Sequence, residues 1–318
     1  MPTLLQLQYA LAVDEQRHFG KAALACHVSQ PTLSQQLQKL EDDVRLVLFD
    51  RARKPILVTP EGRQFLEQAR TVLREYERLL QVAQQAPDGS ASGDFKLAII
   101  PTVASHLLPY LLKPFTRAHP RVRLLIEEAK TETILDELAR DRLDGAVLAT
   151  PVAATGLKVH PLYYEPFLAY FAAGHALLRH DRITRDQLDP AEMWLLQDGH
   201  CFKDQVLNFC AVPGQGDVVP GNVRFESGSL DTLRRLVRGS QGHTLIPALM
   251  AQGLPREERD AHVRPFRAPV PAREISIVYR RDHWKLAILR ALEECVAQCI
   301  PASVPRRPER NLAVLDAC

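Results

Sequence analysis

Ser29-Gln30-Pro31-Thr32-Leu33-Ser34-Gln35-Gln36-Leu37-Gln38-Lys39-Leu40-Glu41 reads as an amphipathic helix with an unusual polar side. Leu33, Leu37 and Leu40 recur at 4,3 spacing and turn inward. Ser29 is placed to cap the first turn, and Pro31 is tolerated there because its missing N–H has no helical partner to lose. The outward side carries Gln30, Thr32, Ser34, Gln35 and Gln38, where a merely solvated helix would carry Glu and Lys. Uncharged amides and hydroxyls match the edges of base pairs in a major groove, so the segment is read as a recognition helix. Two helices precede it, one built on Leu4, Leu7, Leu11 and Val13, the other starting at Phe19-Gly20-Lys21-Ala22-Ala23. Beyond it, Asp50-Arg51-Ala52-Arg53-Lys54 concentrates cations as a wing would to meet backbone phosphates. The plain alternative is a small helical domain with a glutamine-rich exposed face.

A chain of 318 residues has length for two or three domains, and its 46% hydrophobic and 25% charged residues are ordinary for a soluble globular protein. A net charge of +2 names no partner, so a nucleic-acid reading rests on local geometry. The nearest approach to a membrane span, Leu97–Leu112, is broken by Pro101, His106 and Pro109. The first residues enter an amphipathic pattern directly, which gives a cytoplasmic expectation and no membrane partner.

From Thr59-Pro60 the pattern becomes one long helix, expected over 59–88. Phe65, Ala69, Val72, Tyr76, Leu79 and Ala83 form a heptad seam, widened by Leu66, Leu73 and Leu80. Such a stripe needs a covering helix, and a second copy of the chain supplies one; packing on its own chain is the alternative. Pro87-Asp88-Gly89-Ser90-Ala91-Ser92-Gly93 then breaks the helix and marks a boundary.

Strands and helices alternate after Phe95: strands at Phe95–Ile100, Val122–Glu127 and Gly145–Ala149, with helices through Leu107–Phe115 and Thr133–Leu143 between them. This order argues for a parallel α/β sheet. A second series follows with Phe167–Phe171, Trp194–Leu196, a helix at Leu230–Val237 and Thr244–Pro247. Glu274–Tyr279 and a helix through His283–Ile300 close the pattern. Residues 301–318 read as a flexible tail.

Six cysteines stand at 26, 201, 210, 295, 299 and 318, too sparse for a disulfide scaffold and without a C-x-x-C pair for zinc, so no metal and no cofactor is expected. Cys295 and Cys299 are read as packing residues on one helix. The pair at 201 and 210 lies in Gly199-His200-Cys201-Phe202-Lys203-Asp204-Gln205-Val206-Leu207-Asn208-Phe209-Cys210, which has the pattern of a short helix. Such a helix separates the two Cα atoms by about 13.5 Å. A disulfide needs them within about 7 Å, so pairing requires the helix to come apart. Two buried structural thiols are the other reading.

Phe19-Gly20-Lys21-Ala22-Ala23, Val28 to Ser34, Leu48-Phe49-Asp50-Arg51 and Leu57-Val58-Thr59-Pro60-Glu61-Gly62 together resemble the winged helix-turn-helix of LysR-type transcriptional regulators. The resemblance implies an all-α winged helix-turn-helix domain (1–58) on double-stranded promoter DNA, with Ser29, Gln30, Pro31, Thr32 and Ser34 at the groove. Arg51 and Arg53 then lie at phosphates or the minor groove. It also implies a linker and dimerisation helix (59–88) and a two-lobed, periplasmic-binding-protein-like α/β effector domain (94–300). Lobe 1 would hold about 94–163 and 267–300, and lobe 2 about 164–266. Homodimers pairing into homotetramers, and a possible contact with RNA polymerase, follow from the family.

The cysteine segment is similar to the sensing segment of the hydrogen-peroxide-responsive members of that family. Ile100-Pro101-Thr102-Val103, Glu128-Ala129-Lys130-Thr131 and Thr244-Leu245-Ile246-Pro247 carry the same likeness. On that resemblance Cys201 is the peroxidatic cysteine and Cys210 the resolving one. Thr102, Thr131, His200 and Asp204 surround the peroxide, with Arg273 in support. Lys203 and the turn Val237-Arg238-Gly239-Ser240-Gln241-Gly242 depart from the usual pattern. The implied chemistry is oxidation of Cys201 to a sulfenic acid, then condensation with Cys210. A metabolite-responsive regulator, a one-cysteine sensor and a thiol peroxidase compete with this reading. The last has no need of a recognition helix, so the chain is not expected to be an enzyme.

Overall fold

The computed structural model describes residues 1–84, 90–152, 155–196, 201–210 and 228–316; the side chains of 77, 81–84 and 201 also fall outside the description. Contacts divide the chain into two units at Gln85/Ala86.

In the first unit α1 (Leu4–Gln16), α2 (Phe19–Ala25) and α3 (Gln30–Val44) pack around Leu7, Val13, Ala22, Leu33, Leu37 and Leu40. A two-stranded wing follows, β1 (Phe49–Asp50) antiparallel to β2 (Leu57–Val58). The long helix α4 (Pro60–Gln84) then begins on a built cap. Thr59 Oγ1 accepts the Gly62 N–H at 2.9 Å and its hydroxyl donates to Val47 O at 2.6 Å. Gly62 itself is pressed on the wing: a Cβ there would stand 2.4 Å from Leu48 O and 2.9 Å from Leu48 Cα. The Thr-Pro-Glu-Gly sequence is thus a weld between wing and helix. The first half of the seam packs on this unit's own core, with Leu66 and Ala69 buried and Phe65 and Leu73 at the core's edge. The second half does not, since Val72, Tyr76, Leu79 and Leu80 remain exposed, Leu79 by 65%. Ala83, expected on the same seam, lies outside the described side chains.

The second unit is one mixed sheet in the order β4-β3-β5-β9-β6-β7. Strands β3 (Gly93–Ile99), β4 (Val122–Glu128) and β5 (Gly145–Thr150) are parallel and joined by α5 (Pro101–Ala118) and α6 (Thr131–Ala139). The expectation of a parallel sheet fails beyond β5. Strands β6 (Leu157–Phe171) and β9 (Val270–Arg280) are long, antiparallel to each other, and carry the chain out of one core and back into it. The outer part of β6 pairs with β7 (His243–Pro247) and β8 (Val263–Pro265), building a second core with α7 (Cys201–Cys210) and α8 (Leu230–Gly239). Short helices α9 (Ala248–Gly253) and α10 (Arg256–His262) link β7 to β8, and α11 (Leu286–Cys299) returns to the first core. Trp194–Leu196 is not a strand; only Met193 bridges, to His243. The altered turn after α8 closes on Gly242, at φ +85°, where a Cβ would stand 2.1 Å from Glu192 O.

The tail is not loose in the described part, 301–316. β10 (Leu312–Val314) adds to β9 in parallel, Leu315 N donates to Ala272 O at 2.8 Å, and Leu315 packs against the second core. Its backbone groups find partners on an open stretch of β9, a gain that a search for side-chain periodicity does not see. In the first unit, Gly62→Ala is expected to destabilise the wing–helix junction by about 1–3 kcal/mol through overpacking. Faster hydrogen exchange across residues 1–84 of the full chain, with residues 90–316 unaffected, checks this.

Candidate functional site

Helix α3, expected to be the recognition helix, is built as its residue types dictate. Ser29 caps α3, its Oγ accepting the Thr32 N–H at 3.2 Å and lying 2.7 Å from Thr32 Oγ1. Both hydroxyls therefore serve the helix end first. Gln30, Pro31, Thr32, Gln35 and Gln38 are exposed along one side, and Ser34 is half-buried. Glu41 organises the wing from beneath: one carboxylate oxygen accepts Leu48 N–H at 2.7 Å and Phe49 N–H at 3.3 Å, and the other accepts Arg51 Nη2 at 2.5 Å. Arg51 also lies over the Phe19 ring at 5.4 Å. The expected phosphate ligand is thus held against the domain. Arg53, paired only at 3.5 Å with Asp50 and 70% exposed, is the more available cation of the two.

In the second unit, geometry converges on Arg273. It stands on β9 directly opposite Glu165 of β6, and both side chains are 1% exposed. Arg273 Nε and Nη2 donate to Glu165 Oε2 at 3.0 and 2.7 Å, while Glu165 Oε1 accepts the Leu249 N–H at 3.0 Å. The remaining arm reaches the start of α5: Nη1 donates to Thr102 Oγ1 at 3.1 Å and Nη2 to Thr102 O at 2.9 Å. Because Thr102 Oγ1 accepts from Arg273, its own hydroxyl proton is left to donate elsewhere. Thr131 opens α6 and is also buried. β3 and β4 are neighbours in register, so Thr102 and Thr131 follow adjacent carboxyl ends of a parallel pair, where α/β sheets place ligands.

The cysteine helix docks on the same arginine. Phe202 is buried, with its ring 5.5 Å from the Arg273 guanidinium carbon and 5.3 Å from the Phe167 ring. Val206, Gln205 and Cys210 continue the inward face. Phe209 packs edge-on against Phe266 at 5.3 Å, and Gln205 Nε2 donates to Leu315 O of the tail at 3.3 Å. Burial pushes the Cys210 thiol up to about 12, with Arg185 opposing the shift. Lys203 and Asp204 are half-buried on the helix. Cys201 occupies the first helical position, while its side chain and the whole of His200 lie outside the described residues.

Sequence reasoning missed Glu165, Phe167 and His106. A lone carboxylate in the apolar run Tyr163-Tyr164-Glu165-Pro166-Phe167 is the signal that could have found the first. His106 lies one turn after Thr102 on α5; its buried Nε2 has no hydrogen-bond partner among the described residues, and burial, then Arg273, lowers it to about 4. Among the described residues one group has the makeup of a metal site: His175, Glu192 and His243, with ligand atoms within 4.8 Å of one another. His175 Nδ1 accepts the Leu177 N–H at 3.2 Å, which leaves Nε2 protonated toward Glu192 at 3.0 Å, so the pair is satisfied as a hydrogen bond. A separate cavity of about 620 Å³ lies between Pro166, Leu168, Ala251, Arg259, Asp260 and Ser303, and among the described residues none of those expected around the peroxide lines it.

Two family models cover most of the chain. Residues 4–63 match the bacterial regulatory helix-turn-helix protein, lysR family, and residues 88–299 match the LysR substrate binding domain. The chain is 38% identical over 276 residues to a hydrogen peroxide-inducible genes activator of Pectobacterium carotovorum, covering 86% of this chain and 89% of that one. It is 36% identical over 297 residues to the DNA-binding transcriptional dual regulator OxyR of Escherichia coli K12, covering 93% and 94%. A cysteine variant of full-length OxyR from Pseudomonas aeruginosa superposes with a TM-score of 0.74 at 32% identity, over 94% of this chain and 98% of that one. A hydrogen-peroxide-bound OxyR mutant from Corynebacterium glutamicum gives 0.61 at 30%, over 94% and 92%.

His243 is fully buried on β7, both ring nitrogens lack hydrogen-bond partners among the described residues, and burial holds it at about 4. Its folded value lies below the unfolded one near 6.5, so its contribution to stability is full above pH 6.5 and falls as pH drops toward 4. His243→Ile is expected to raise stability by about 1–3 kcal/mol at pH 7, since it removes two unmet polar atoms from a strand. It should also flatten the loss of stability between pH 6.5 and 4, as read from melting temperatures across that range.

Proposed function

Because the chain belongs to the LysR family of transcriptional regulators, and within it to the OxyR branch, we propose that it binds promoter DNA and switches on oxidation of Cys201 by hydrogen peroxide. One observation carries the redox part of this reading. Cys201 and Cys210 open and close a single intact helix, and that helix is held by Phe202 on the Arg273–Glu165 pair.

The steps follow from chemistry at these positions. The Cys201 thiolate attacks one peroxide oxygen and the O–O bond breaks; the leaving hydroxide takes a proton, and Cys201 becomes a sulfenic acid. A helix N-terminus favours a thiolate at position 201. Thr102, with its hydroxyl proton to give, and Thr131 supply donors to the departing oxygen, while His200 and Asp204 complete the peroxide pocket. Arg273 acts by positioning Thr102 and Phe202. Cys210 is buried and protonated, so it does not compete for peroxide while the helix is folded.

A ten-residue helix is marginal without its docking contacts. Once Cys201 is oxidised and α7 loosens, Cys210 attacks the sulfenic sulfur, water leaves, and the disulfide forms. Phe202, Val206 and Phe209 must then find new cover, which repacks the second core and alters contacts between copies. The exposed seam of α4 at Val72, Tyr76, Leu79 and Leu80 is the dimer surface of this reading, with tetramers formed from such dimers. Two recognition helices then read a two-fold related site, with Gln30, Pro31, Thr32 and Ser34 at base edges, Ser29 at the helix end and Arg53 at a phosphate. Arg51 supports the wing. The regulator is cytoplasmic and nucleoid-associated, and contact with RNA polymerase gives activation.

Peroxide titration followed by peptide mapping is expected to show a Cys201–Cys210 crosslink together with a changed footprint on DNA; Cys201 stopping at sulfenic acid would leave a one-cysteine sensor. A footprint that still switches with a small molecule in Cys201→Ser would favour a metabolite at the separate cavity. Thr102→Val should slow the reaction of Cys201 on the order of 100-fold, measured by stopped-flow fluorescence. Arg53→Ala should lower the salt dependence of DNA binding by about one unit of slope, with little change in sequence preference.

A further inference from the structure

The two thiols of α11 are not accounted for by this mechanism. Cys295 lies in the first core and Cys299 sits half-exposed at its edge, with the Sγ atoms 3.6 Å apart on one side of the helix. Residues at i,i+4 on a helix hold their Cβ atoms about 5–6 Å apart. A relaxed disulfide needs about 3.5–4.5 Å, so direct bonding strains the helix. What fits two sulfurs already in contact is a bridge through one further atom.

The chemistry of the pair selects that atom. Burial, with Cys299 adding to it, pushes the Cys295 thiol up to about 12. Divalent zinc needs deprotonated thiolates and four ligands, and among the described residues no third His, Cys, Asp or Glu ligand joins these two. Two-coordinate soft cations favour a near-linear arrangement, which sets the sulfurs well beyond contact. A trivalent arsenical is pyramidal, keeps two sulfurs side by side, and condenses with neutral thiols.

We propose that Cys295 and Cys299 form a vicinal dithiol site for trivalent arsenicals, independent of the peroxide-sensing pair. In the reaction with phenylarsine oxide, whose arsenic is trivalent, both S–H bonds and the As=O bond break and two As–S bonds form. The oxygen leaves as water with the two thiol protons, and arsenic stays trivalent. The pair at 201 and 210 offers no such chelate in the folded helix, because its Cα atoms are about 13.5 Å apart.

The test uses the reduced full-length chain and one equivalent of phenylarsine oxide in the presence of excess monothiol, with intact-mass measurement and peptide mapping. One phenylarsenic unit bridging Cys295 and Cys299, removable by a competing dithiol, is the expected result. Cys299→Ser and Cys299→Ala should each weaken retention on the order of 100-fold through loss of the second arm. Unchanged retention in both variants overturns the site, as does mapping of the label to Cys201, Cys210 or Cys26. A peroxide-formed Cys295–Cys299 disulfide with no arsenical adduct overturns it as well. If either variant fails to fold, the mapped position in the parent chain decides alone.

Discussion

The ion pair of Arg273 and Glu165 links five elements of the second unit at one point. It bridges the neighbouring long strands β6 and β9, fixes the first turn of α5 through Thr102, holds the start of α9 through Leu249, and offers a cationic face to Phe202. Two buried charges are costly to desolvate, and removing one partner leaves the other stranded at about 3–5 kcal/mol. Here the cost is offset because each carboxylate oxygen has a donor and three guanidinium nitrogens have acceptors. Such a pair adds geometric definition more than net stability. Whatever lies near Thr102 and the head of α7 inherits that definition.

The same device recurs in the DNA-binding unit at smaller scale. Glu41, on α3, gathers the wing's first backbone N–H groups with one oxygen and Arg51 with the other. Both units thus use one buried carboxylate to set the angle between a helix and the strand beside it. The cysteine spacings show a related economy of geometry: four residues along a helix bring sulfurs into contact, while nine keep them a helix length apart.

Much of this was legible in the residues. Helix α3, the long helix α4 and the 201–210 helix follow from periods of 3.6 and 3.5 that no tertiary contact overrides. The outer path of the sheet was not legible, because β6 runs through Pro161 and Pro166, which read as strand breakers, with a bulge between Pro161 and Tyr163. Arg273 was singled out by resemblance, yet its partner was hidden, since a cross-strand pair depends on register and not on spacing along the chain. Arg51 looked like a free cation because Glu41 lies ten residues away on another element.

The C-terminal strand gives α7 a mechanical neighbour. Leu312–Val314 is stitched to β9 alongside Ala272, the residue before Arg273, and the next carbonyl, that of Leu315, receives Gln205. A pull on the chain end is therefore delivered to the middle of α7 within a few bonds. Cargo fused downstream of residue 316 would put its load directly on α7.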